Sequence, residues 1–357
     1  MSTIIFLLMI FTPSIVSIYG TLSFTDRTAN TILESEKRSV TAWPEIIDLR
    51  RDFTAYTAQI NNYFEDHIIW RKQLIDFALQ SKHHLLNVKS NNRAIIGEQD
   101  WIFLTSTIVD GLDVRRTPLQ PAEEWADNAL AIKKHVERYG GTFVIMVPPN
   151  KARLYPEFVP KQINYIQTSR FLDELKPFLE QRNIPLVDLL SHLQQYKNQS
   201  PETLLYSKTD THWTHRGALR GYQRTIKELN DLGVELNAVD VPDLKIINGK
   251  LFSGDIAVFE GLSNSFYEPL EIFRPSRSFN IFSPKKKLLV FGDSFSGRLA
   301  DFWRYSFKEA HCYHHNIIKP NLDLIEQVKA DVVILQVIER NLSHPLVLDQ
   351  KKTRTCF

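Results

Sequence analysis

The chain has 357 residues, which is enough to bury a large core in one big domain or in two smaller ones. Its formal net charge is only +2, and 43% of its residues are hydrophobic. A nearly balanced charge gives no indication of nucleic-acid binding, so nucleic acid is not predicted as a partner.

Residues 4–19 form a nearly unbroken apolar run. Such a run predicts an export signal or a membrane anchor, here within residues 1–20. No Lys or Arg precedes the run, Pro13 interrupts it, and the small-residue cleavage site around 17–20 is poorly formed. A cleaved signal peptide and a retained signal anchor both stay open, as does a buried N-terminal helix, because the run is short for a membrane span. Export would place the remaining chain in the periplasm, tethered to the inner membrane if the segment is retained.

Cysteine and histidine usage agrees with an exported chain. The only two cysteines, Cys312 and Cys356, would be allowed to form a disulfide in an oxidising compartment. The histidine pairs at 83–84 and 314–315 have no matching carboxylates, and no Cys-x-x-Cys motif occurs. We therefore predict neither a metal site nor a cofactor.

The first predicted elements form an arm and a hairpin. Residues 43–86 carry apolar side chains at three- and four-residue steps, which predicts a helical lead-in arm within residues 21–90. Residues 93–104 contain two short apolar runs around a Gly-containing turn, which is typical of a β-hairpin. Trp101 and Phe103 would point to one face of this hairpin, and we expect both to pack in the core.

Residues 91–357 alternate helical and buried-strand patterns and form the predicted catalytic domain. This alternation indicates an α/β fold with a parallel sheet wrapped by helices, whose functional residues lie at the carboxyl ends of the strands. Residues 231–283 contain scattered Gly, Pro and Asn, and we interpret them as an insertion of loops or small strands. The predicted helices are 122–139, 169–182, 214–229 and 322–330, and the predicted strands include 142–147, 184–189, 311–318 and 332–338.

The stretch 288–303 holds a candidate nucleophile. Four apolar residues lead into Gly292-Asp293-Ser294, and an amphipathic helical pattern follows. A serine on such a strand-to-helix turn exposes its hydroxyl at the edge of a sheet, next to the N–H groups and the dipole of a helix N-terminus. These are the conditions for a nucleophile beside half of an oxyanion hole. The alternative is that Asp293 or Ser294 only caps the helix.

A candidate general base lies in the segment 209–214, which reads Thr-Asp-Thr-His-Trp-Thr. Asp210 and His212 are two positions apart, so an extended backbone would send both side chains to the same face. A carboxylate beside an imidazole provides a general base with its orienting partner. The alternative is a surface aspartate and a histidine at the rim of the core.

Together these motifs resemble the SGNH (GDSL-type) hydrolase superfamily, with the sequence blocks in a rotated order. A circular permutation of this kind is tolerated when the termini lie close together on the surface. The rotated order, the GEQDWIFL hairpin and the combined DTHW and GDSFS motifs resemble the alginate O-acetyltransferases of the AlgJ/AlgX type, also called the DHHW family. In chain order the blocks are VIMVPPN, IPLVDLL, TDTHWTHRGA, FGDSFSG and ILQVIERN.

The resemblance covers about residues 40–345 and implies a circularly permuted, three-layer α/β/α fold. It also implies Ser294 as nucleophile, His212 as general base and Asp210 as the residue that orients the base. An acetyl group would then pass from a donor to Ser294 and on to a sugar hydroxyl.

The resemblance leaves the second oxyanion donor open. Glu339-Arg340-Asn341 stands where ordinary SGNH hydrolases have a Gly-x-Asn-Asp block, so Asn341 and Arg340 are both candidates.

Four further residues are candidates for the site. Lys151 would recognise a polyanionic saccharide or the charge of the acyl donor, or belong to an ordinary solvated surface. Arg298 follows Ser294 by four positions and should share its helix face, where it would reach the site or shield a carboxylate. Trp213 and Phe295 would limit the access of water to an acyl-enzyme, or simply pack in the core.

The apolar N-terminal run and the family resemblance together imply an exported O-acetyltransferase with a polysaccharide as acceptor. The expected partner is a multipass membrane acyltransferase, because acetyl groups must be delivered across the membrane. One alternative is an SGNH-type carbohydrate acetyl esterase, which shares the triad. Another is a non-catalytic polysaccharide-binding subunit of an export complex.

Overall fold

The computed structural model describes residues 41–46, 52–66, 94–112, 120–163, 170–260, 262, 266–275, 285–314 and 318–348. The apolar run at 4–19 and Cys356 lie outside these residues, so the export signal and the disulfide stay predictions. Cys312 is buried. Among the described residues, no helix is long and apolar enough to cross a membrane.

The chain divides into two compact units, residues 1–89 with 257–266 and residues 90–256 with 267–357. In the first unit, helix α1 (Phe53–Asp66) lies within the predicted arm, much of which falls outside the described residues.

The second unit begins with the predicted hairpin. Strands β1 (Ala94–Ile96) and β2 (Ile102–Leu104) pair antiparallel, and Trp101 and Phe103 are fully buried, as expected. The elements that follow are α2 (Thr105–Leu112), α3 (Ala122–Arg138), β3 (Thr142–Val147), α4 (Lys151–Leu154), α5 (Phe171–Gln181), β4 (Leu186–Asp188), α6 (Leu190–Gln199) and α7 (His215–Asp231).

The predicted insertion contains regular structure. Strands β5 (Leu244–Phe252) and β6 (Glu268–Pro275) pair antiparallel as a long two-stranded ribbon, and the short helix α8 (Asp255–Phe259) begins between them. The last elements are β7 (Lys287–Gly292), α9 (Ser296–Ser306), β8 (Glu309–His314), α10 (Leu322–Val328) and β9 (Val332–Gln336).

Five of these strands form one parallel sheet in the order β4-β3-β9-β7-β8. Edge strand β8 begins earlier than the predicted 311–318, because it pairs with β7 from Lys287 opposite Glu309 to Gly292 opposite His314. All five strands run in the same direction, so the loops that follow them lie at one edge of the sheet.

Side chains alternate between the two faces of this sheet, which separates two apolar cores. In β7, Leu288 and Val290 pack with residues of α6, α7 and α9, whereas Leu289 and Phe291 pack with residues of α3, α5 and α10. The buried strands therefore lie between two helical layers, and the predicted three-layer α/β/α fold is confirmed.

Candidate active site

Ser294 lies on the turn between β7 and α9, at the carboxyl edge of the sheet. It is exposed, whereas its neighbours Asp293 and Phe295 are buried. The N-cap position of α9 is Phe295, whose own side chain makes no capping hydrogen bond. The Ser294 hydroxyl is therefore not used as a helix cap, and it has no hydrogen-bond partner among the described residues.

The buried carboxylate of Asp293 holds this turn in place. It accepts the backbone N–H of Phe295 at 3.0 Å, the side-chain amide of Gln336 at 2.9 Å and the backbone N–H of Ile338 at 2.6 Å. Asp293 thus joins the ends of the neighbouring strands β7 and β9. These bonds fix the backbone around Ser294, and such support is what positions a reactive side chain.

Asp210 and His212 are in direct contact. Nδ1 of His212 lies 2.6 Å from Oδ1 of Asp210, which also accepts the backbone N–H of His212 at 2.8 Å. The chain here is a loop of bends closed by a bridge between Tyr206 and Trp213, not the extended segment that the spacing predicted. The tight loop brings the two side chains together.

The electrostatics of this pair keep Asp210 ionised. Burial acts to raise the pKa of Asp210. The hydrogen bond and charge of His212, together with the charge of Arg298, outweigh burial and hold this pKa below its usual range.

The His212 ring packs against the ring of Phe295, in the turn between β7 and α9 that carries Ser294 (the nucleophile turn). The two ring centroids are 5.0 Å apart, and the indole N–H of Trp213 donates to the backbone carbonyl of Phe295 at 3.1 Å. Nε2 of His212 is buried and has no hydrogen-bond partner in the described part of the chain. The ring is held through Nδ1 and lies beside the residue that follows Ser294, an arrangement suited to a general base.

Trp213 and Phe295 act as core residues that link the two halves of the site. Both are almost completely buried, and their ring centroids lie 5.3 Å apart. Of the two alternatives left open for them, the structure favours packing. Their contact fixes the spacing between base and nucleophile turn.

Lys151 is buried against the segment 209–214, which carries Asp210 and His212 and is called the acid–base loop below. Its ammonium donates to three backbone carbonyls, those of Ser207 and Lys208 at 3.1 Å and that of Asp210 at 2.8 Å. Burial lowers the pKa of Lys151 to about 8. All three of its protons are engaged by the protein, so the structure gives Lys151 a positioning role in place of the substrate contact or solvated surface suggested by the sequence.

Arg298 lies one helical turn after Ser294. Its guanidinium is largely buried and interacts electrostatically with Asp210 and Glu268, and its Nη1 has no hydrogen-bond partner in the described part of the chain. Burial lowers the pKa of Arg298. Of the alternatives considered for Arg298, shielding of a carboxylate matches its electrostatic interaction with Asp210.

Arg340 and Asn341 follow β9 and approach the same turn. The Arg340 guanidinium lies over the ring of Phe295, 5.4 Å from its centroid, and burial lowers its pKa. The Asn341 amide nitrogen is 3.5 Å from Oδ2 of Asp293, which is long for a hydrogen bond. Both residues therefore flank the turn that carries Ser294.

Asp255, at the start of α8, is a site residue that sequence reasoning missed. Its carboxylate accepts the backbone N–H of Thr211 at 2.7 Å and the Thr211 hydroxyl at 2.6 Å. It also lies 3.6 Å from Nδ1 of His212. No motif or spacing marks Asp255, because the contact joins segments that are 44 residues apart in the chain.

Glu268 and Gly254 support the acid–base loop at Thr209, and sequence reasoning did not identify either of them. Glu268 accepts the backbone N–H and the hydroxyl of Thr209 at 2.8 and 2.6 Å, and the N–H of Gly254 donates to the same hydroxyl oxygen at 2.9 Å. The ribbon interpreted as an insertion thus helps to build the acid–base loop.

The atoms of Asp210, His212 and Asp255 lie close enough together, within 4.8 Å, to be considered as metal ligands. Asp210 and His212 are hydrogen-bonded to each other, and both Asp255 oxygens accept hydrogen bonds from Thr211. A cation would have to displace these bonds, so the cluster is better suited to moving a proton.

A family model described as the SGNH hydrolase-like domain of the acetyltransferase AlgX matches residues 94–302, more than half of the chain. The matched region contains Asp210, His212 and Ser294 and ends before Arg340 and Asn341.

Curated relatives cover part of the chain. A probable alginate O-acetylase, AlgJ of Pseudomonas aeruginosa, is 28% identical over 187 residues, which is 49% of this chain and 43% of the relative. A protein of the same description from Azotobacter vinelandii is 25% identical over 179 residues, 49% of this chain and 44% of the relative. The matched part thus spans less than half of these relatives.

Solved structures share the fold. The O-acetyltransferase domain of Pseudomonas putida AlgJ has a TM-score of 0.50 at 20% identity, covering 71% of this chain and 93% of that domain. Bacillus cereus PatB1 has a TM-score of 0.51 at 15% identity, covering 72% of this chain and 99% of that protein. At these identities the similarity supports the SGNH-like architecture.

Proposed function

Because the chain belongs to the family of SGNH hydrolase-like domains of the acetyltransferase AlgX type, we propose that it is an O-acetyltransferase for an exported polysaccharide. Ser294 is the nucleophile, His212 the general base and Asp210 its orienting acid. The observation that carries this proposal is His212 itself. Its Nδ1 is hydrogen-bonded to Asp210, and its Nε2 has no hydrogen-bond partner among the described residues. The ring contacts Phe295, which is next to Ser294.

The proposed reaction has two acyl-transfer steps. Ser294 Oγ attacks the acetyl carbonyl of the donor while His212 Nε2 takes the hydroxyl proton, and the leaving group departs with that proton. The acceptor hydroxyl then gives its proton to His212 and attacks the acetyl-serine, and the proton returns to Ser294 as the ester is released. Ionised Asp210 stabilises the imidazolium that forms in both steps.

Each step passes through a tetrahedral oxyanion that needs fixed hydrogen-bond donors. The Ser294 N–H lies in the turn held by Asp293, before the N-terminus of α9. The Arg340 guanidinium, over the ring of Phe295, is the second donor that we favour. The Asn341 amide already faces the Asp293 carboxylate at 3.5 Å.

The names of the curated relatives favour alginate, an acidic polysaccharide, as the acceptor. We further propose a periplasmic location, with membrane attachment if residues 1–20 are retained, and a multipass membrane acyltransferase as the supplier of acetyl groups. An acetyl esterase remains the second candidate, because the same triad serves it when water in place of a sugar attacks the acetyl-serine.

Substitution of the three triad residues tests the proposed function. Ser294→Ala, His212→Ala and Asp210→Ala should each lower acetyl transfer from a chromogenic acetyl ester to alginate oligosaccharides by about a thousandfold or more. Far-UV circular dichroism and melting should stay close to those of the unchanged protein. The Ser294→Ala/His212→Ala double variant should be scarcely slower than either single variant, because the residues act as one unit.

Peptide mass spectrometry after an acid quench should locate the acetyl group on Ser294. Ser200, a half-buried serine that follows α6 and lies far from the turn in sequence, is the matched control, and Ser200→Ala should keep the activity. Near-normal transfer by Ser294→Ala, or acetylation at another residue on the reaction path, would contradict the proposal.

A further inference from the structure

We propose that Asp255 is a second acidic positioning residue of the acid–base pair, acting on His212 through the hydroxyl of Thr211. This inference rests on the proposed function, because it gives His212 the role of general base. It adds a group from α8, in a segment that the family motifs do not mark.

The hydrogen bonds around Thr211 define how Asp255 acts. Oδ2 of Asp255 lies 2.6 Å from Oγ1 of Thr211, and only the hydroxyl can donate, because an ionised carboxylate is an acceptor. Oγ1 in turn lies 3.1 Å from Nδ1 of His212. Once its proton is directed to Asp255, the hydroxyl presents its lone pairs to Nδ1.

This orientation selects one tautomer of the imidazole. Nδ1 faces the Asp210 oxygen at 2.6 Å and the Thr211 lone pairs, and both are acceptors, so the ring proton belongs on Nδ1. Nε2 is then left with a lone pair, which is the form that can take a proton from a hydroxyl. Without Asp255 the Thr211 hydroxyl is free to turn its proton toward Nδ1 and favour the wrong tautomer.

Asp255 also braces Asp210 directly. Its backbone N–H points to Oδ2 of Asp210 at 3.4 Å, while its carboxylate holds the backbone N–H of Thr211. Asp210 and His212 flank Thr211 in the chain. A single residue from outside the loop therefore contacts all three successive residues of the acid–base segment.

The charge of Asp255 is balanced by the cations of the site. It interacts electrostatically with Lys151, Arg298 and Arg340, which come from α4, α9 and the segment after β9. In the described part of the chain, the charged groups that interact electrostatically with Asp210, with Asp255 or with the cations around them are Lys151, Asp210, Asp255, Glu268, Asp293, Arg298 and Arg340. Removal of the Asp255 charge thus leaves His212 in a more positive environment, which disfavours the imidazolium.

The test compares pH–rate profiles of the full chain with a chromogenic acetyl ester. Asp255→Asn should lower kcat by about ten- to hundredfold, as loss of an outer partner of a functional histidine typically does. KM should stay within about twofold, and the acid limb of the profile should move to lower pH, because a negative charge near the imidazolium is lost. Thr211→Val should lower kcat similarly, and Thr211→Ser should retain most of the activity.

Non-additivity distinguishes this pathway from general loosening of the loop. The Asp255→Asn/Thr211→Val double variant should be scarcely slower than the worse single variant, because both break the same chain of contacts. Asp301→Asn is the matched control, since Asp301 lies 3.5 Å from a different histidine, His215, and should leave kcat and the profile unchanged.

Three outcomes would overturn the proposal: an unchanged profile in a folded Asp255→Asn variant, additive losses in the double variant, or unchanged kcat in Thr211→Val. The Thr211 variants decide the question if Asp255→Asn does not fold. Ser294→Ala, assayed in parallel, distinguishes failure of the proposed function from failure of the proposed role of Asp255. Its retained activity would reject the proposed function, whereas its loss combined with any of these three outcomes would reject only the role of Asp255.

Discussion

At the scale of single residues, chemistry that is evident in the sequence does not determine which partner a side chain finds. A lysine after Pro-Pro-Asn suggested a surface contact for an anion, yet Lys151 is only 5% exposed, and its ammonium donates hydrogen bonds to three carbonyls. It also lies 5.8 and 5.3 Å from the ring centroids of Trp101 and Phe103. Sequence gives the charge, but only the fold shows that backbone oxygens surround it.

Lys151→Met tests this positioning role. Methionine fills a similar volume but leaves three buried or partly buried carbonyls without their charged donor, so we expect a loss of about 3 kcal/mol in the free energy of unfolding. The rate of acetyl transfer should fall as well, because the carbonyl of Asp210 is one of the three. Urea unfolding measures the first effect and the ester assay the second.

Lys133→Met provides the control for that variant. Lys133 pairs with Glu137 one turn along α3, and this partly exposed pair should contribute less than about 1 kcal/mol. Equal stability losses in the two variants would contradict a special role for Lys151.

At the scale of elements, the turns with strong local signals were predictable and the long-range supports were not. The β7 strand, its Gly-Asp-Ser turn and α9 follow from hydrophobic patterning and helix-terminus chemistry within 16 residues, 288–303. Glu268 and Gly254 reach Thr209 only because the ribbon folds back over 45 to 59 residues of chain. Periodicity predicts neighbours along an element and carries no information about such docking.

Gly254→Ala tests the docking of the ribbon against the acid–base loop. A Cβ at this position would lie 2.4 Å from the backbone nitrogen of Asp210 and from the carbonyl carbon of Thr209, so one segment must move. We expect overpacking to cost about 1–3 kcal/mol of stability and to reduce acetyl transfer. Thermal unfolding and the ester assay measure the two effects.

The control is Gly297→Ala in the first turn of α9, where an added Cβ meets no atom within 4 Å. Alanine is the better helix former, so this variant should keep or raise the free energy of unfolding, by less than about 1 kcal/mol. If Gly254→Ala were as stable and as active as the unchanged protein, the ribbon would not support the loop as described.

At the scale of the whole molecule, the parallel sheet explains why distant motifs meet. The nucleophile follows β7, the Arg340 block follows β9, and both strands are central in the order β4-β3-β9-β7-β8. The fold class was predictable because buried strands alternating with helices imply this architecture. The rotated order of the motifs is compatible with this architecture. The motifs come together because they follow strands that end at the same edge of the sheet, whatever their order in the chain.

The fold is compatible with both a transferase and an esterase, because an acetyl-serine can react with either a sugar hydroxyl or water. The transferase proposal predicts that the purified full chain cleaves a chromogenic acetyl ester slowly alone and faster with alginate oligosaccharides. It also predicts acetylated sugar by mass spectrometry, because a bound acceptor places its hydroxyl next to the acyl group and competes with water. Neutral oligosaccharides of the same length serve as the matched acceptor, and Ser294→Ala should abolish both signals. Rapid cleavage that is indifferent to every acceptor, with release of acetate from an acetylated polymer, would instead identify an esterase.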